Sequence, residues 1–304
     1  MKKETKNKIF LALKILVSLL FFYILFTKFV NFRNVLAYMK EIKYYILILC
    51  LVITFISVLL RAIRWRMISK LYKNISFKDA VIFYLRGIYY GSITPAKAGE
   101  FIRGYYYSEK YKISKHDGFA SVFFERIFDV IFPVIVVFSY LLLKNILNIY
   151  AFLGVVFILT ILSWFILLIV MKYFIKYIRK IKFLKKLSVP RIKFDFRLVL
   201  NGLLTTSIWI CYTATGLIIL NAMHINNIPA YYLLFVVCIT NIAVLIPITL
   251  SGWGIRESTY VFLLSSYVGS ETSLLFSVIF TILSTYFLAF IGLILEFTKF
   301  RKAP

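Results

Sequence analysis

The chain has 304 residues, 62% of them hydrophobic and 19% aromatic, with a formal net charge of +25 and a mean hydropathy of +0.89. So apolar a composition excludes a soluble globular fold and implies one polytopic membrane domain over residues 1–304. The positive charge lies in short loops beside apolar runs, which is the pattern of cytoplasmic loops facing anionic lipid and not the footprint of a nucleic-acid binder.

The chain starts MKKETKNK and continues into about 22 mostly apolar residues. That run is too long for a secretory signal, and no small-residue cleavage site follows, so an uncleaved span is expected over 9–30. A second span over 44–63 ends in RAIRWRMISK (61–70), whose arginines around Trp65 read as a snorkelling anchor that could also gather anionic headgroups. The next apolar stretch, 80–104, is broken by TPAKAGEFIRG (94–104). A third span over 118–143 carries Glu125, Arg126 and Asp129.

The second half repeats this order. Spans are expected over 151–171, 198–222 and 273–297, with the stretch 231–268 broken by IPITLSGWGIRE (246–257). The intervening basic segment, 172–197, reads as a cytoplasmic loop on anionic lipid. Residues 80–93 and 258–268 are short against the roughly 20 residues that a crossing needs, so each broken stretch is expected to be a re-entrant hairpin. Two full crossings would return the chain to the same side, so loop charge alone does not separate these alternatives. With a cytoplasmic N-terminus, the inner segments hold 27 Lys and Arg and the outer segments 5. The expected fold is therefore all-α. It has about six spanning helices and two re-entrant helical hairpins, arranged as an inverted repeat of about 1–150 and 151–304, with both termini cytoplasmic in the cell membrane.

The chemistry concentrates at the breaks. Pro95 and Gly99 are expected to hinge the first hairpin, and Pro247, Gly252 and Gly254 the second. Such breaks free backbone N–H groups that attract phosphate, and Lys97, Arg103, Arg256 and Arg86 could hold an anionic headgroup. Glu100, Glu257, Glu125, Asp129 and Arg126 would balance that charge or couple a proton, since ionisable groups at membrane depth must face protein or water. For the Glu125–Asp129 segment, an interior ion-pair lock against Arg86 or Arg103 is an equally good reading. Trp253 reads as packing or as a lid.

Cys50, Cys211 and Cys238 lack paired spacing, and His116 and His224 are isolated, so neither disulfide nor metal site is expected. There is no P-loop, HExxH or GxSxG, and no cofactor cradle. The leading expectation is a transporter of an anionic or phosphate-linked lipid. A lipid- or glycan-modifying enzyme, a non-catalytic partner of a separate lipid synthase, and a small-solute carrier are the alternatives. Nothing in the sequence fixes the oligomeric state.

Four elements in order then carry a resemblance: RxxRW at Arg61 to Trp65; Pro95, Gly99, Glu100 and Arg103; ERxxD at Glu125, Arg126 and Asp129; and GxGxRE at Gly252, Gly254, Arg256 and Glu257. Together they resemble the flippase-like family that includes the transmembrane region of lysylphosphatidylglycerol synthase, the multiple peptide resistance factor. The resemblance implies an integral domain that moves aminoacylated or glycosylated lipids between leaflets, or acts beside enzymes making them. It covers nearly the whole chain without a soluble aminoacyl-transfer domain, so lysine transfer onto lipid does not carry over. The chain departs from the family in Ala-Lys-Ala before Gly99 and in Thr281 and Ser284, where an arginine would be looked for.

Overall fold

The computed structural model describes residues 2–143, 196–249 and 251–300, together with parts of 151–162; it is helical, with no strand among the described residues. Helix α1 (Lys2–Ile24) continues through one π-turn at Leu25–Phe29, and α2 (Phe32–Lys40) follows. The run Leu13–Phe29 meets Arg33–Lys40 at 85°. Asn31 caps the start of α2 by accepting from the Arg33 amide. Next come α3 (Tyr44–Ser69), α4 (Phe77–Ser92), a tight turn at Pro95–Phe101, α5 (Ile102–Tyr111) and α6 (Lys115–Leu143). The second part holds α7 (Phe196–Ala222), α8 (Ala230–Leu245), α9 (Ile255–Val268) and α10 (Ser270–Thr281). Helix α10 passes through a π-turn at Ile282–Tyr286 into α11 (Phe287–Phe300).

Four helices are long and apolar enough to cross a membrane: Tyr44–Ser69, Lys115–Leu143, Val199–Ala222 and Ser270–Thr298. Counting the bent pair as one span gives five, against the six expected; the expected span over 151–171 and the basic segment 172–197 lie almost wholly outside the described residues. Leu16, Leu19, Phe138, Leu142, Phe262 and Phe290 are each half or more exposed. An outer surface this apolar is costly in water and suits a hydrocarbon solvent.

Helices α4 and α5 form a hairpin. Ser76 caps α4 by accepting from the Asp79 amide, and Asp79 in turn accepts from Lys110 Nζ (2.5 Å) and Tyr111 OH (2.7 Å) at the end of α5. Tyr107 OH donates to the Ser69 carbonyl (2.9 Å), so this open end sits at the C-terminal end of α3. Helices α8 and α9 make the second hairpin, with Tyr232 OH donating to the Leu263 carbonyl (2.6 Å) and the Tyr232 and Tyr267 rings 4.8 Å apart. Its open end lies at the other end of α3, where the Lys43 amide donates to the Ala222 carbonyl at the close of α7 (3.1 Å). The hairpins thus enter from opposite ends, and their tips touch: Ser251 Oγ donates to the Ser92 carbonyl (2.6 Å).

The hinges differ from the expected ones in the first hairpin. The left-handed backbone falls on Ala96 (φ 52°) and Lys97 (φ 56°), not on Gly99. Gly99 is required for another reason: a Cβ there would lie 2.2 Å from the Tyr90 carbonyl oxygen. In the second hairpin, Ser251 (φ 53°), Gly252 (φ 82°) and Gly254 (φ 85°) have left-handed backbone, and Pro247 follows the last turn of α8.

Between these units, α3 packs on α7, α4 on α11, and α6 on α8. Stacked Phe132 and Trp209, with centroids 5.6 Å apart and planes 10° from parallel, join α6 to α7 in the largest apolar core.

Candidate functional site

A cluster of seven charged side chains lies between α3, α6 and the first hairpin. Glu125, fully buried, accepts from Arg64 Nη2 at 2.6 Å and from Arg103. Asp129, one turn later on the same face of α6, accepts from Arg64 Nη2 (2.6 Å) and pairs with Arg61 (3.5 Å) and Arg126 (3.6 Å). Arg126 also pairs with Glu100 from the first hairpin. The Arg103 guanidinium stands 4.3 Å from the Tyr84 ring centroid and 5.2 Å from that of Trp65, and the Trp65 indole N–H donates to Ser121 Oγ (3.2 Å). Four arginines against three carboxylates give each of these charges an opposite partner, as burial requires.

One side of this cluster opens on a cavity between the two hairpin tips. Its volume is about 70 Å³. The first hairpin contributes Gly91, Ser92, Lys97 and Glu100; the second contributes Asn241, Leu245, Ser251 and Arg256. Arg61, Tyr84, Arg126 and Asp129 form one wall, and Trp209, Tyr212, Ser284, Thr285 and Tyr286 form the other. Arg61 lies over the Tyr212 ring, 5.1 Å from its centroid. Four cations and two carboxylates therefore face the space. Both carboxylates are held by arginines, whereas neither Lys97 nor Arg256 pairs with a carboxylate among the described residues. Arg256 donates from Nη2 to the Ser251 carbonyl (3.2 Å), and its buried Nη1, like the buried Trp209 Nε1, has no partner among the described residues.

The expected site residues divide into three groups. Lys97, Arg256, Glu100, Arg126 and Asp129 line the cavity. Arg103 and Glu125 are completely buried behind it, in the lock arrangement. Arg86 is elsewhere: its Nε lies 3.2 Å from Glu296 Oε2, its Nη2 donates to the Leu295 carbonyl (2.7 Å), and Tyr106 OH donates to Glu296 Oε1 (2.8 Å). Arg86 thus fastens the first hairpin to α11. Glu257 accepts from the Gly254 amide (2.7 Å), and Gly99 N–H donates to Thr94 Oγ1 (2.7 Å). These two amides, freed by the helix breaks, are therefore taken up within the protein, contrary to the expectation that such groups would await a phosphate.

Other contributors lay outside the expected site. Arg61 and Arg64, read as a snorkelling anchor that could also gather headgroups, are drawn inward because Glu125 and Asp129 offer them partners at i, i+4 on α6. Tyr212 and Asn241 carry no motif. The π-turn at Ile282–Tyr286 aims Ser284, Thr285 and Tyr286 at the cavity; such turns are frequent at functional sites but invisible to apolar periodicity. Trp253, half-exposed, donates its indole N–H to Tyr286 OH at the rim.

No curated protein matches the chain. A protein-family model, that of the lysylphosphatidylglycerol synthase TM region, matches residues 11–292, which takes in both hairpins and the whole charged cluster. This multi-pass membrane protein belongs to the lysylphosphatidylglycerol synthase transmembrane-region family, a family linked to lipid metabolism.

Proposed function

We propose that this protein is a flippase- or scramblase-like lipid transporter of the cell membrane, with both termini cytoplasmic, that carries an anionic, phosphate-linked headgroup between leaflets. The observation that carries the reading is the pair Lys97 and Arg256. Each comes from the tip of a different broken helical hairpin, each faces the cavity, and neither pairs with a carboxylate among the described residues. Uncompensated cations at membrane depth are costly unless an anion joins them. A phosphate bridging the two tips would compensate both, while its acyl chains remain in lipid.

The packing scheme supports alternating access. Helix α3 against α7, and α4 against α11 beside α6 against α8, is the exchange expected of two halves related by a two-fold axis in the membrane plane. On this reading the hairpins are re-entrant. With 16 residues in α4, 10 in α5, 16 in α8 and 14 in α9, each arm is about 15–24 Å long and short of the roughly 30 Å hydrocarbon core. Glu100 and Asp129 are bound by arginines, which makes them poor general bases and disfavours a lipid-modifying enzyme.

The test is translocation of tail-labelled fluorescent phospholipids in reconstituted vesicles, read with a leaflet-selective quencher. Wild-type protein should move an anionic lipid, and Arg256→Gln, folded and inserted, should reduce the rate about tenfold or more. Equal rates for wild type and Arg256→Gln would end the assignment.

A further inference from the structure

The two hairpins are fastened to the rest of the molecule by different forces. The first, residues 77–111, carries eight charged residues. Three of them pair beyond it: Arg86 with Glu296 on α11, and Glu100 and Arg103 with Arg126 and Glu125 on α6. Its open end is tied to the chain leaving α3, where the Lys73 amide donates to Tyr107 OH (3.0 Å) and the Ser76 amide to Tyr111 OH (2.8 Å). The second hairpin, residues 230–268, has two charged residues, Arg256 and Glu257. Both are held inside it, Arg256 by the Ser251 carbonyl and Glu257 by the Gly254 amide. Among the described residues two side-chain hydrogen bonds leave this hairpin, from Ser251 Oγ to the Ser92 carbonyl and from the Trp253 indole N–H to Tyr286 OH, and Ser92 and Tyr286 both line the cavity. Its other contacts are apolar and aromatic, such as Phe235 stacked on Tyr140 at 4.2 Å and Tyr260 edge-on to Phe276 at 5.3 Å.

This difference decides which hairpin can move. In a bilayer, apolar helix surface meets lipid tails about as favourably as it meets another helix, so apolar contact resists sliding weakly. Parting a buried ion pair leaves uncompensated charge in a low dielectric, at far greater cost. The joints agree. The chain enters the second hairpin through non-helical residues 223–229 and leaves it at Gly269, whose φ of 81° and ψ of 162° suit glycine alone. A Cβ at Gly269 would meet nothing within 4 Å, so the backbone and not packing calls for glycine there. Resting on the transport reading above, we infer that the hairpins are not equivalent: the second is the moving gate, swinging as one body about Gly269 and 223–229, and the first is a fixed wall. Ser251 and Trp253 are the latch of this gate. Because Arg256 is bound within the gate, opening parts it from Lys97, and an anion bridging the two loses one of its holders.

The test reads motion and does not depend on transport. Purified full-length protein, with Cys50, Cys211 and Cys238 replaced by alanine, is spin-labelled at exposed pairs and measured by electron-electron distance spectroscopy. One pair is Ile248→Cys at the second tip with Phe138→Cys on α6; the other is Ile93→Cys at the first tip with the same Phe138→Cys. The Ile248 pair should show a second distance whose share rises about fivefold in Ser251→Ala and about fivefold in Trp253→Phe, each of which removes one latch bond. The Ile93 pair should keep one distance throughout. Tyr286→Phe removes the Trp253 bond from its other side should Trp253→Phe misfold. An Ile248 pair unmoved in the doubly unlatched protein, or an Ile93 pair that shifts as much, overturns the inference. A gate that moves in protein shown not to translocate any lipid would sink the transport reading alone. Translocation with both hairpins moving equally would sink the gate and leave the transport reading standing.

Discussion

The buried lock gives the sharpest prediction, through Glu125→Gln. Glu125 is fully buried and serves two guanidinium groups. After the change Arg64 still holds Asp129 at 2.6 Å and Thr205 at 3.3 Å. Arg103 keeps at most a neutral amide oxygen and the faces of Tyr84 and Trp65, and its Nε and Nη1 have no partner among the described residues. The loss therefore falls on one buried, now uncompensated cation. Two unit charges about 4 Å apart at an effective dielectric of about 20 attract by about 4 kcal/mol, in line with the roughly 3–5 kcal/mol lost when one partner of a buried pair is removed. Thermal melting in detergent, read by size exclusion, should show Glu125→Gln strongly destabilised. The double variant Arg103→Met/Glu125→Leu, which removes both charges, should recover to within about 1 kcal/mol of wild type. Its lipid transport should recover with its stability, because Arg103 and Glu125 lie behind the cavity and not in its wall. A single variant that melts with wild type, or a double variant less stable than Glu125→Gln, would refute the argument; a stable double variant that transports nothing would return Arg103 to the headgroup site.

Other outcomes can be checked in the same preparations. Lys97→Gly should be as stable as wild type or up to about 1 kcal/mol more so in melting assays, because glycine accepts φ 56° freely, yet its anionic-lipid transport should fall about tenfold or more. Gly118→Ala places a Cβ 2.2 Å from the Gly104 carbonyl oxygen where α5 crosses α6, and should cost about 1–3 kcal/mol by overpacking, seen as a lower folded yield. Glu296→Gln should lower the melting temperature by loosening α4 on α11 while leaving the order of headgroup preference in vesicles unchanged, since the Arg86 pair lies outside the cavity. For orientation, a cysteine at Lys73 should label only from the cytoplasmic side and one at Asn226 only from outside; the reverse pattern would invert the topology.

How much of this was legible beforehand follows from the kind of signal each feature leaves. Composition and the length of apolar runs determined a polytopic helical protein, because a bilayer demands long apolar helices wherever the chain crosses it. The two broken stretches stood out because proline, glycine and charge are expensive inside such runs, and Lys97, Glu100, Arg126, Asp129 and Arg256 all reach the cavity. The four-element order was enough to indicate the family.

What the tertiary structure decided is which charges face one another. Arg103 and Arg256 look alike in sequence, each a few residues past a glycine at a helix break, yet one is sealed against Glu125 and the other faces open space. Arg86, expected at the headgroup, is captured by Glu296 at 3.2 Å, and Arg61, read chiefly as an anchor, is drawn in by Asp129. The partners of Arg103, Arg86 and Arg61 lie 22, 210 and 68 residues away along the chain, and a local motif says nothing about pairing over such distances. The strained backbone moved from Gly99 to Ala96 and Lys97 for the same reason: how closely Gly99 approaches the Tyr90 carbonyl is set by packing, not by glycine's own freedom.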